Sequence, residues 1–303
     1  MRNRFLANPR HRMLRLLLAC IVCVDAALVS AAAGTADDAG AAALRAKYAE
    51  LEARLADNQF KRPLHLESIE SPKQLEGDIY AVVDHPFANV SAALKEPAQW
   101  CEVLILHLNT KYCRPHNGRN GPGLSVAVGK KHDQPLNDAY QVEFGYSVAA
   151  LKPDYFDIRL GANNGPMGTS DYRIRLEAVP LREGKSFLHL TYSYSYNLAA
   201  RIAMQGYLAT VGRDKVGFTR APSGRSDHIG GVRGVVERNT MRYYLAIDAY
   251  LGALSSPAPE QFEKRLNNWF TSTERFPRQL HEIDRQEYLV MKRSEYARQQ
   301  NAR

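Results

Sequence analysis

Three neighbouring residues, Ser226, Asp227 and His228, have the side-chain types of a hydrolytic triad. A triad needs a nucleophile, a base and an orienting carboxylate that converge from different parts of a fold. Consecutive residues of one chain cannot converge in that way, so a connector turn or a helix cap explains these three residues better.

A second set of polar residues could supply general acid and base groups, namely Asp84, His85, His107 and Glu143. They would act together only if the fold brought them to the mouth of one cavity. Separate positions at the surface and in the core are the simpler interpretation. The sequence therefore predicts no catalytic residue and favours binding over catalysis.

Cys101 and Cys113 form an isolated pair of cysteines in the central part of the chain. In an oxidising compartment, two cysteines this close in sequence most simply form one disulfide. Together with His107 and His116 they could instead bind a metal, but the paired C-x2-C spacing of structural zinc sites is missing. We therefore expect a disulfide, and no metal or other cofactor.

Alternating polarity between residues 140 and 196 predicts a series of half-buried strands. The apolar positions of the first run are Tyr140, Val142, Phe144, Tyr146 and Val148. The alternation returns at 156–160, 172–178 and 188–196. Short turns rich in glycine and asparagine join these runs, so the strands should pair as antiparallel neighbours with one apolar, aromatic face and one solvated face.

Helices and further strands are expected before this series. An amphipathic helix from Ala41 to Phe60 is followed by Leu64 to Ile69, which reads as a short strand or an extended cover. A strand at 76–84 leads into two short helices, the second carrying Trp100. Residues 103–113 read as a strand, although their first half could extend that second helix.

The part of the chain after Tyr196 is predicted to be helical. Helices are expected at 198–210 and 232–254, and the second of these is the longest. A final helix at 282–300 is rich in charged residues, so we expect it to be mostly solvated.

The first 33 residues have the pattern of a secretory signal peptide. Five arginines precede a short apolar run, Leu16 to Val24, and small residues with Ala-x-Ala spacing follow at Ala31 and Ala33. The apolar run is too short for a comfortable membrane span. We expect export to the periplasm, with secretion, or a lipid anchor at Cys20, as alternatives.

Charge argues against a nucleic-acid partner. The 303-residue chain has a formal net charge of +8, but residues 1–33 hold five of its 40 basic and one of its 32 acidic residues, so the remainder carries +4. No block of lysine and arginine interleaved with aromatic residues replaces that basic segment. The hydrophobic content of 45% is enough for a sizeable core.

Several segments between Gly77 and Leu254 follow one another in a familiar order. They are Asp78 to Val83, Pro86 to Val90, the Glu96-Pro97 break before Trp100, the strand series ending at Tyr196, and the long late helix. This order resembles the START-like helix-grip superfamily, which includes the polyketide-cyclase and Bet v 1 groups. The resemblance is one of architecture, because the superfamily has no invariant active site.

The resemblance implies an α+β fold in which a curved antiparallel sheet of about seven strands grips a long C-terminal helix, with extra N- and C-terminal helices. The START-like domain would span 63–256, after an N-terminal helix at 34–62. The chain departs from the superfamily pattern at two places, an insertion at 198–230 before the long helix and a C-terminal helical extension at 257–303.

The resemblance also implies a cavity between sheet and helix that holds a lipid or other hydrophobic small molecule, which is compatible with transient membrane contact. The expected ligand-binding residues are Phe144, Tyr146, Ile158, Ile174, Tyr192, Tyr194, Tyr243 and Ile247. Tyrosine joins an aromatic wall to a hydroxyl that can orient a ligand. The plainer interpretation is that Tyr192, Tyr194 and Tyr196 are β-forming residues that only pack on the sheet.

Alternatives to this function stay open. One is a cyclase- or hydratase-like enzyme that uses histidine and acidic groups in the same cavity. Another is a scaffold with a filled cavity that binds protein through Phe262, Trp269 and Phe270.

The long helix carries charged residues that allow two interpretations. Arg233 and Glu237 are four residues apart and are expected to pair on its surface. Arg238 or Arg242 could instead reach an anionic head group of a ligand at the cavity rim.

Overall fold

The structure is a computed structural model that describes residues 38–119, 121–210, 212–221 and 228–301. The signal peptide predicted at 1–33, and Ser226 and Asp227, lie outside the described residues. Residues 38–43 are helical. Residues from Leu44 onward form a separate unit, which carries the sheet and the other helices.

Eight antiparallel strands form one curved sheet. They are β1 (Leu64–Glu70), β2 (Gln74–Val83), β3 (Thr110–Gly118), β4 (Gly121–Val128), β5 (Tyr140–Lys152), β6 (Tyr155–Asn164), β7 (Thr169–Pro180) and β8 (Ser186–Tyr196). Their order across the sheet is β1-β2-β8-β7-β6-β5-β4-β3. The antiparallel strand series is confirmed, and β1 is an edge strand beyond the seven or so that were expected.

The predicted alternation holds along most strands. In β8, Leu188, Leu190, Tyr192 and Tyr194 are all buried in the core. Val148 of β5 is an exception, because its side chain is 44% exposed. A shift of register between Val148 and Ala150 turns Ala150 inward in its place, as expected at a β-bulge.

Two short helices, α2 (Phe87–Leu94) and α3 (Pro97–Leu104), connect β2 to β3. Proline is tolerated in the first turn of α3, and a capping box between Glu96 and Gln99 closes that end. The ambiguous segment 103–113 is therefore divided. Its start finishes the helix, and β3 begins at Thr110.

A disulfide joins Cys101 of α3 to Cys113 of β3, with their Cα atoms 5.2 Å apart. Both cysteines are buried, so the bond fixes the helix against the edge of the sheet from inside the core. The predicted disulfide is confirmed.

The sheet grips the long helix α5 (Gly231–Ala253), which packs against β1, β2 and β8. The approach to β2 is close, because a Cβ atom at Gly77 would lie 2.3 Å from the Thr240 hydroxyl. Glycine is therefore required at that point of the strand. The predicted helix-grip arrangement is confirmed by this strand order and by the position of α5.

Glu237 of α5 is fully buried and holds the connector that precedes the helix. Its carboxylate accepts hydrogen bonds from the N–H groups of Phe218 (2.5 Å) and Thr219 (2.9 Å) and from the Ser68 hydroxyl (2.5 Å). Arg233 donates to the Ser68 hydroxyl at 2.8 Å. The expected surface pair of Arg233 and Glu237 is therefore wrong, because the connector covers that face of the helix.

The helical residues from 44 to 56, here named α1, pack on the outer face of the sheet. The ring of Tyr48 lies 5.0 Å from the ring of Phe187 in β8, and Lys47 Nζ lies 5.1 Å from the Tyr80 ring centroid. This face is therefore only partly solvated, because α1 covers aromatic residues that point away from α5.

Helix α4 (Leu198–Ala209) precedes α5. The helices that follow α5 in the described part of the chain are α6 (Ala258–Thr273), α7 (Pro277–Leu280) and α8 (Arg285–Asn301). Among the described residues, no helix has both the length and the apolar character that a membrane span requires.

The charged residues of α8 had suggested a mostly solvated helix, and that prediction is wrong. It buries Tyr288, Met291, Lys292 and Glu295 against β3 and α6. Lys292 donates to Glu295 at 2.7 Å, and Lys111 of β3 donates to the same carboxylate at 3.0 Å. Charged residues that looked solvent-facing therefore pair with each other in the interior.

Candidate ligand-binding site

A cavity of about 570 Å³ lies beside the N-terminal half of α5. Its walls come from β7 and β8, from α4 and α5, and from the loops around residues 130 and 282. A space of this size is in the range of pockets that bind small molecules.

Three tyrosines form the sheet wall of this cavity: Tyr172 of β7 and Tyr192 and Tyr194 of β8. Residues 192 and 194 share a face because side chains alternate along a strand. The Tyr172 ring stacks on Tyr194 with the centroids 5.3 Å apart. Tyr243 of α5 packs against Tyr192 at 5.0 Å, so the wall continues onto the helix.

The hydroxyls of this wall are neutral. Burial raises the pKa of Tyr192 and of Tyr194 above the ordinary value for tyrosine. Within the described parts of the chain, neither hydroxyl makes a hydrogen bond to protein. Both can therefore donate to, or accept from, a polar atom of a ligand.

The lining near α4 is apolar. Pro166, Met167, Ala200, Met204 and Ile283 contribute to it. Met167 has a positive φ of 56° in a short turn between β6 and β7, and its side chain is 77% exposed. An apolar body could lie against this surface and the tyrosine rings.

Among the described residues, the cations that line the remaining side are Lys130 and Lys131 after β4, and Arg238 and Arg242 of α5. Glu282 lies among them, with its carboxylate 2.6 Å from Arg242 and 2.8 Å from Lys131. Arg238 donates to the carbonyl of Val216 at 3.2 Å. The cavity thus combines an aromatic, apolar side with a cationic side.

Electrostatics in this region favour negative charge. Burial and the charge of Arg242 lower the pKa of Lys131, although Glu282 opposes the change. Burial alone would raise the pKa of Glu282, but the charges of Arg242 and Lys131 lower it overall. Glu282 is therefore ionised at neutral pH, and the cations around it still repel one another.

His107 is buried next to the tyrosine wall, with its ring 4.8 Å from that of Tyr243. Its Nδ1 accepts the N–H of Asn109 at 3.1 Å, which leaves the proton on Nε2. Nε2 finds no acceptor among the described residues. Burial and the charges of Arg242 and Lys292 lower the pKa of His107 well below its ordinary value, so the ring is neutral.

The structure places the predicted ligand-binding residues in different surroundings. Tyr192 and Tyr194 line the cavity, and Tyr243 touches Tyr192. Phe144 meets Tyr172 edge-on at 6.5 Å, behind the wall. The hydroxyl of Tyr146 lies 3.4 Å from the carbonyl of Leu94, and the three isoleucines, Ile158, Ile174 and Ile247, are buried in the common core.

The four candidate acid and base residues are not brought together. Asp84 and His85 border a separate depression near Leu254. Glu143 is exposed and lies 3.1 Å from His116. His107 is buried beside Tyr243. No general acid and base pair is therefore formed from this set.

Sequence reasoning did not select Tyr172, Lys130, Lys131 or Glu282. Tyr172 belongs to an alternating run and could have been chosen by the same criterion as Tyr192. The two lysines and Glu282 lie in loops that are far apart in the chain, and no local pattern marks them.

No family model matches the chain, and no curated protein matches it. Several solved structures do. A conserved protein from Geobacillus kaustophilus has 12% identity and a TM-score of 0.35, covering 59% of this chain and 95% of that one. A norcoclaurine synthase mutant from Thalictrum flavum, in complex with a transition state analogue, has 11% identity and a TM-score of 0.33, covering 48% and 92%.

Ara h 8.0201 also matches, with 11% identity and a TM-score of 0.33, and the match covers 63% of this chain and 99% of that one. Similarities at this level carry no argument about ligand or activity. The fold assignment rests on the strand order and the gripped helix of this chain.

Proposed function

We propose that this protein binds a hydrophobic small molecule, such as a lipid, in the cavity between β7, β8 and α5, without catalysis. The observation that carries the proposal is the cavity of about 570 Å³ with its wall of tyrosines. Such a wall combines large apolar area with a few hydroxyls that can orient a ligand.

The proposal includes export. The N-terminal pattern described above favours removal of residues near Ala31 or Ala33, and the disulfide is of the kind that persists in oxidising compartments. N-terminal sequencing of the protein purified from the periplasm tests this part. A protein that retains Met1 and stays in the cytoplasm would refute it.

Binding is tested by native mass spectrometry of the protein purified from its own compartment, together with extraction and identification of bound lipids. We expect a bound apolar molecule. The variant Val235→Phe, which places a ring at the cavity wall, should lose that molecule while its melting temperature is retained. Val290→Phe on the exposed face of α8 is the matched control and should keep the ligand.

The proposal is wrong if no ligand is found with either the purified protein or an added lipid extract. It is also wrong if Val235→Phe and Val290→Phe bind the same molecule equally well, because the ligand would then lie elsewhere.

A further inference from the structure

We propose that the cavity selects ligands that carry an anionic oxygen group, a carboxylate or a phosphate, on an apolar body. This inference rests on the proposed ligand-binding function and adds the chemical class of the ligand. It follows from the contrast between the two sides of the cavity.

Most of the charged side chains that the structure describes on the helix and loop side are cationic. Lys130 and Lys131 follow β4, while Arg238 and Arg242 are four residues apart on α5 and so share one face of the helix. Among the lining residues that the structure describes, Glu282 is the one carboxylate. The described lining of this side therefore contains four cationic side chains and one carboxylate.

The cations of the lining also affect titratable groups outside it. After burial, the charge of Arg242 is the largest cause that lowers the pKa of His107. Lys215 has a lowered pKa as well, through burial and then, against the opposing effect of Glu282, through Lys131 and Arg242. Arg242 and Lys131 thus contribute to the lowered pKa of two groups on different elements, in addition to the larger effect of burial.

An anionic group is the chemistry that such a side recognises. A guanidinium can bind a carboxylate or a phosphate through two parallel hydrogen bonds, and a lysine adds a compact positive charge. Buried cations are stabilised when a negative charge accompanies them. Glu282 already contacts Arg242 and Lys131, and a ligand anion would supply further negative charge.

The sheet side recognises the rest of the ligand. Tyr172, Tyr192 and Tyr194 provide aromatic faces, and Met167 and Met204 extend the apolar surface. A molecule with both parts can use both sides at once. A neutral molecule with the same apolar body would use only the tyrosine side.

The test compares ligands that differ in the head group alone. Decanoate, decyl phosphate and 1-decanol share one alkyl chain, and sodium acetate provides the anion without it. Isothermal titration calorimetry of the purified, delipidated protein at low salt measures each affinity. We expect decanoate and decyl phosphate to bind at least about tenfold more tightly than decanol, as for charge-assisted hydrogen bonds, and we expect no measurable binding of acetate.

Variants connect this preference to the cationic side. Lys130 is exposed, so Lys130→Gln should fold normally and weaken decanoate binding several-fold, while decanol binding is unchanged. Arg238→Gln is a second variant, which should have the same effect with a larger loss. Lys264→Gln on the exposed face of α6 is the matched control and should bind like the unmodified protein.

The outcomes separate the two proposals. If no ligand binds, the proposed function itself fails. If decanol binds as tightly as decanoate, the cavity binds apolar molecules but the preference for an anionic group is wrong. Acetate binding as tight as decanoate, or equal losses in Lys264→Gln and Lys130→Gln, would also overturn the preference.

Discussion

Two clusters of charged residues, one buried and one partly buried, adjoin the C-terminal helices, and they are built differently. The α8 cluster consists of Lys111, Lys292 and Glu295. The cavity cluster consists of Lys131, Arg238, Arg242 and Glu282. Each has more cations than carboxylates. The α8 cluster is enclosed by protein, whereas the cavity cluster borders a space of about 570 Å³.

Glu295 and nearby backbone carbonyls satisfy both lysines of the α8 cluster. Lys292 donates to the carbonyls of His107 and Thr110 at 2.7 and 2.8 Å, besides Glu295. Lys111 donates to the carbonyl of His132 at 3.0 Å, besides Met291 and Glu295. Burial lowers the pKa of Lys292 to about 8, although Glu295 opposes this change. These contacts hold α8 on β3 and leave no role for a ligand.

Comparison of the clusters shows that a cluster with more cations than carboxylates is not by itself a sign of function. In the α8 cluster, carbonyl groups solvate the ammonium groups, and the result is a structural contact. In the cavity cluster, an open volume and an aromatic wall adjoin the cations. That difference supports a ligand site in the cavity cluster alone.

The largest expected effect is on the α8 cluster. Glu295→Gln would leave two buried lysines without their shared carboxylate, and we expect a loss of about 3 to 5 kcal/mol in the free energy of unfolding. Glu263→Gln is the matched control, because Glu263 pairs with Arg293 of α8 at the surface. Its cost should stay below about 1 kcal/mol. Urea denaturation measures both values.

Equal costs for Glu295→Gln and Glu263→Gln would show that the α8 cluster contributes nothing beyond a surface pair. The α8 cluster could then no longer be interpreted as a structural contact that differs from the cavity cluster.

A smaller effect is expected for the same change in the cavity cluster. Glu282→Gln removes the partner of Arg242 and Lys131, but the adjoining space allows solvent to compensate part of the loss, so we expect about 2 kcal/mol. Saturating decanoate should raise the melting temperature of this variant more than that of the unmodified protein. Glu295→Gln should show no such extra rise, and differential scanning calorimetry measures all three.

An equal decanoate response in Glu282→Gln, in Glu295→Gln and in the unmodified protein would indicate that the ligand anion does not approach the cavity cluster. The anionic head group would then be excluded from that side.

Local patterns were enough to predict the strands and the long helix, and the resemblance to the helix-grip superfamily implied that the sheet grips that helix. Alternation along β8 assigns Leu190 and Tyr192 to the core face without any tertiary information, because the period of side chains in a strand is two. The close spacing of Cys101 and Cys113 predicted the disulfide in the same way. Such features depend on neighbours in sequence.

The charged parts of the molecule could not be predicted in this way. Lys292 and Glu295 look like a solvated pair on a helix, since nothing nearby in sequence shows that Lys111 of β3 meets them in the interior. Likewise, Lys131 and Glu282 belong to separate loops, and only the folded chain places them 2.8 Å apart. Tertiary contacts decide both cases.

The smallest expected effects concern two tyrosine hydroxyls, one in each region. The hydroxyl of Tyr288 in α8 donates to the carbonyl of Leu106 at 3.0 Å in the fully buried interior. Tyr288→Phe leaves that carbonyl without its donor, so we expect a loss of about 1 to 2 kcal/mol.

Tyr192 is the matched position in the cavity, and its hydroxyl makes no hydrogen bond to the described residues. Tyr192→Phe should therefore change the free energy of unfolding by less than about 0.5 kcal/mol. Thermal denaturation of both variants measures the difference. A larger cost for Tyr192→Phe than for Tyr288→Phe would mean that the cavity wall is part of the packed core, and the contrast between an enclosed region and a binding region would fail. If Tyr288→Phe costs more free energy of unfolding than Tyr192→Phe, the Tyr192 hydroxyl is available to a partner other than the protein.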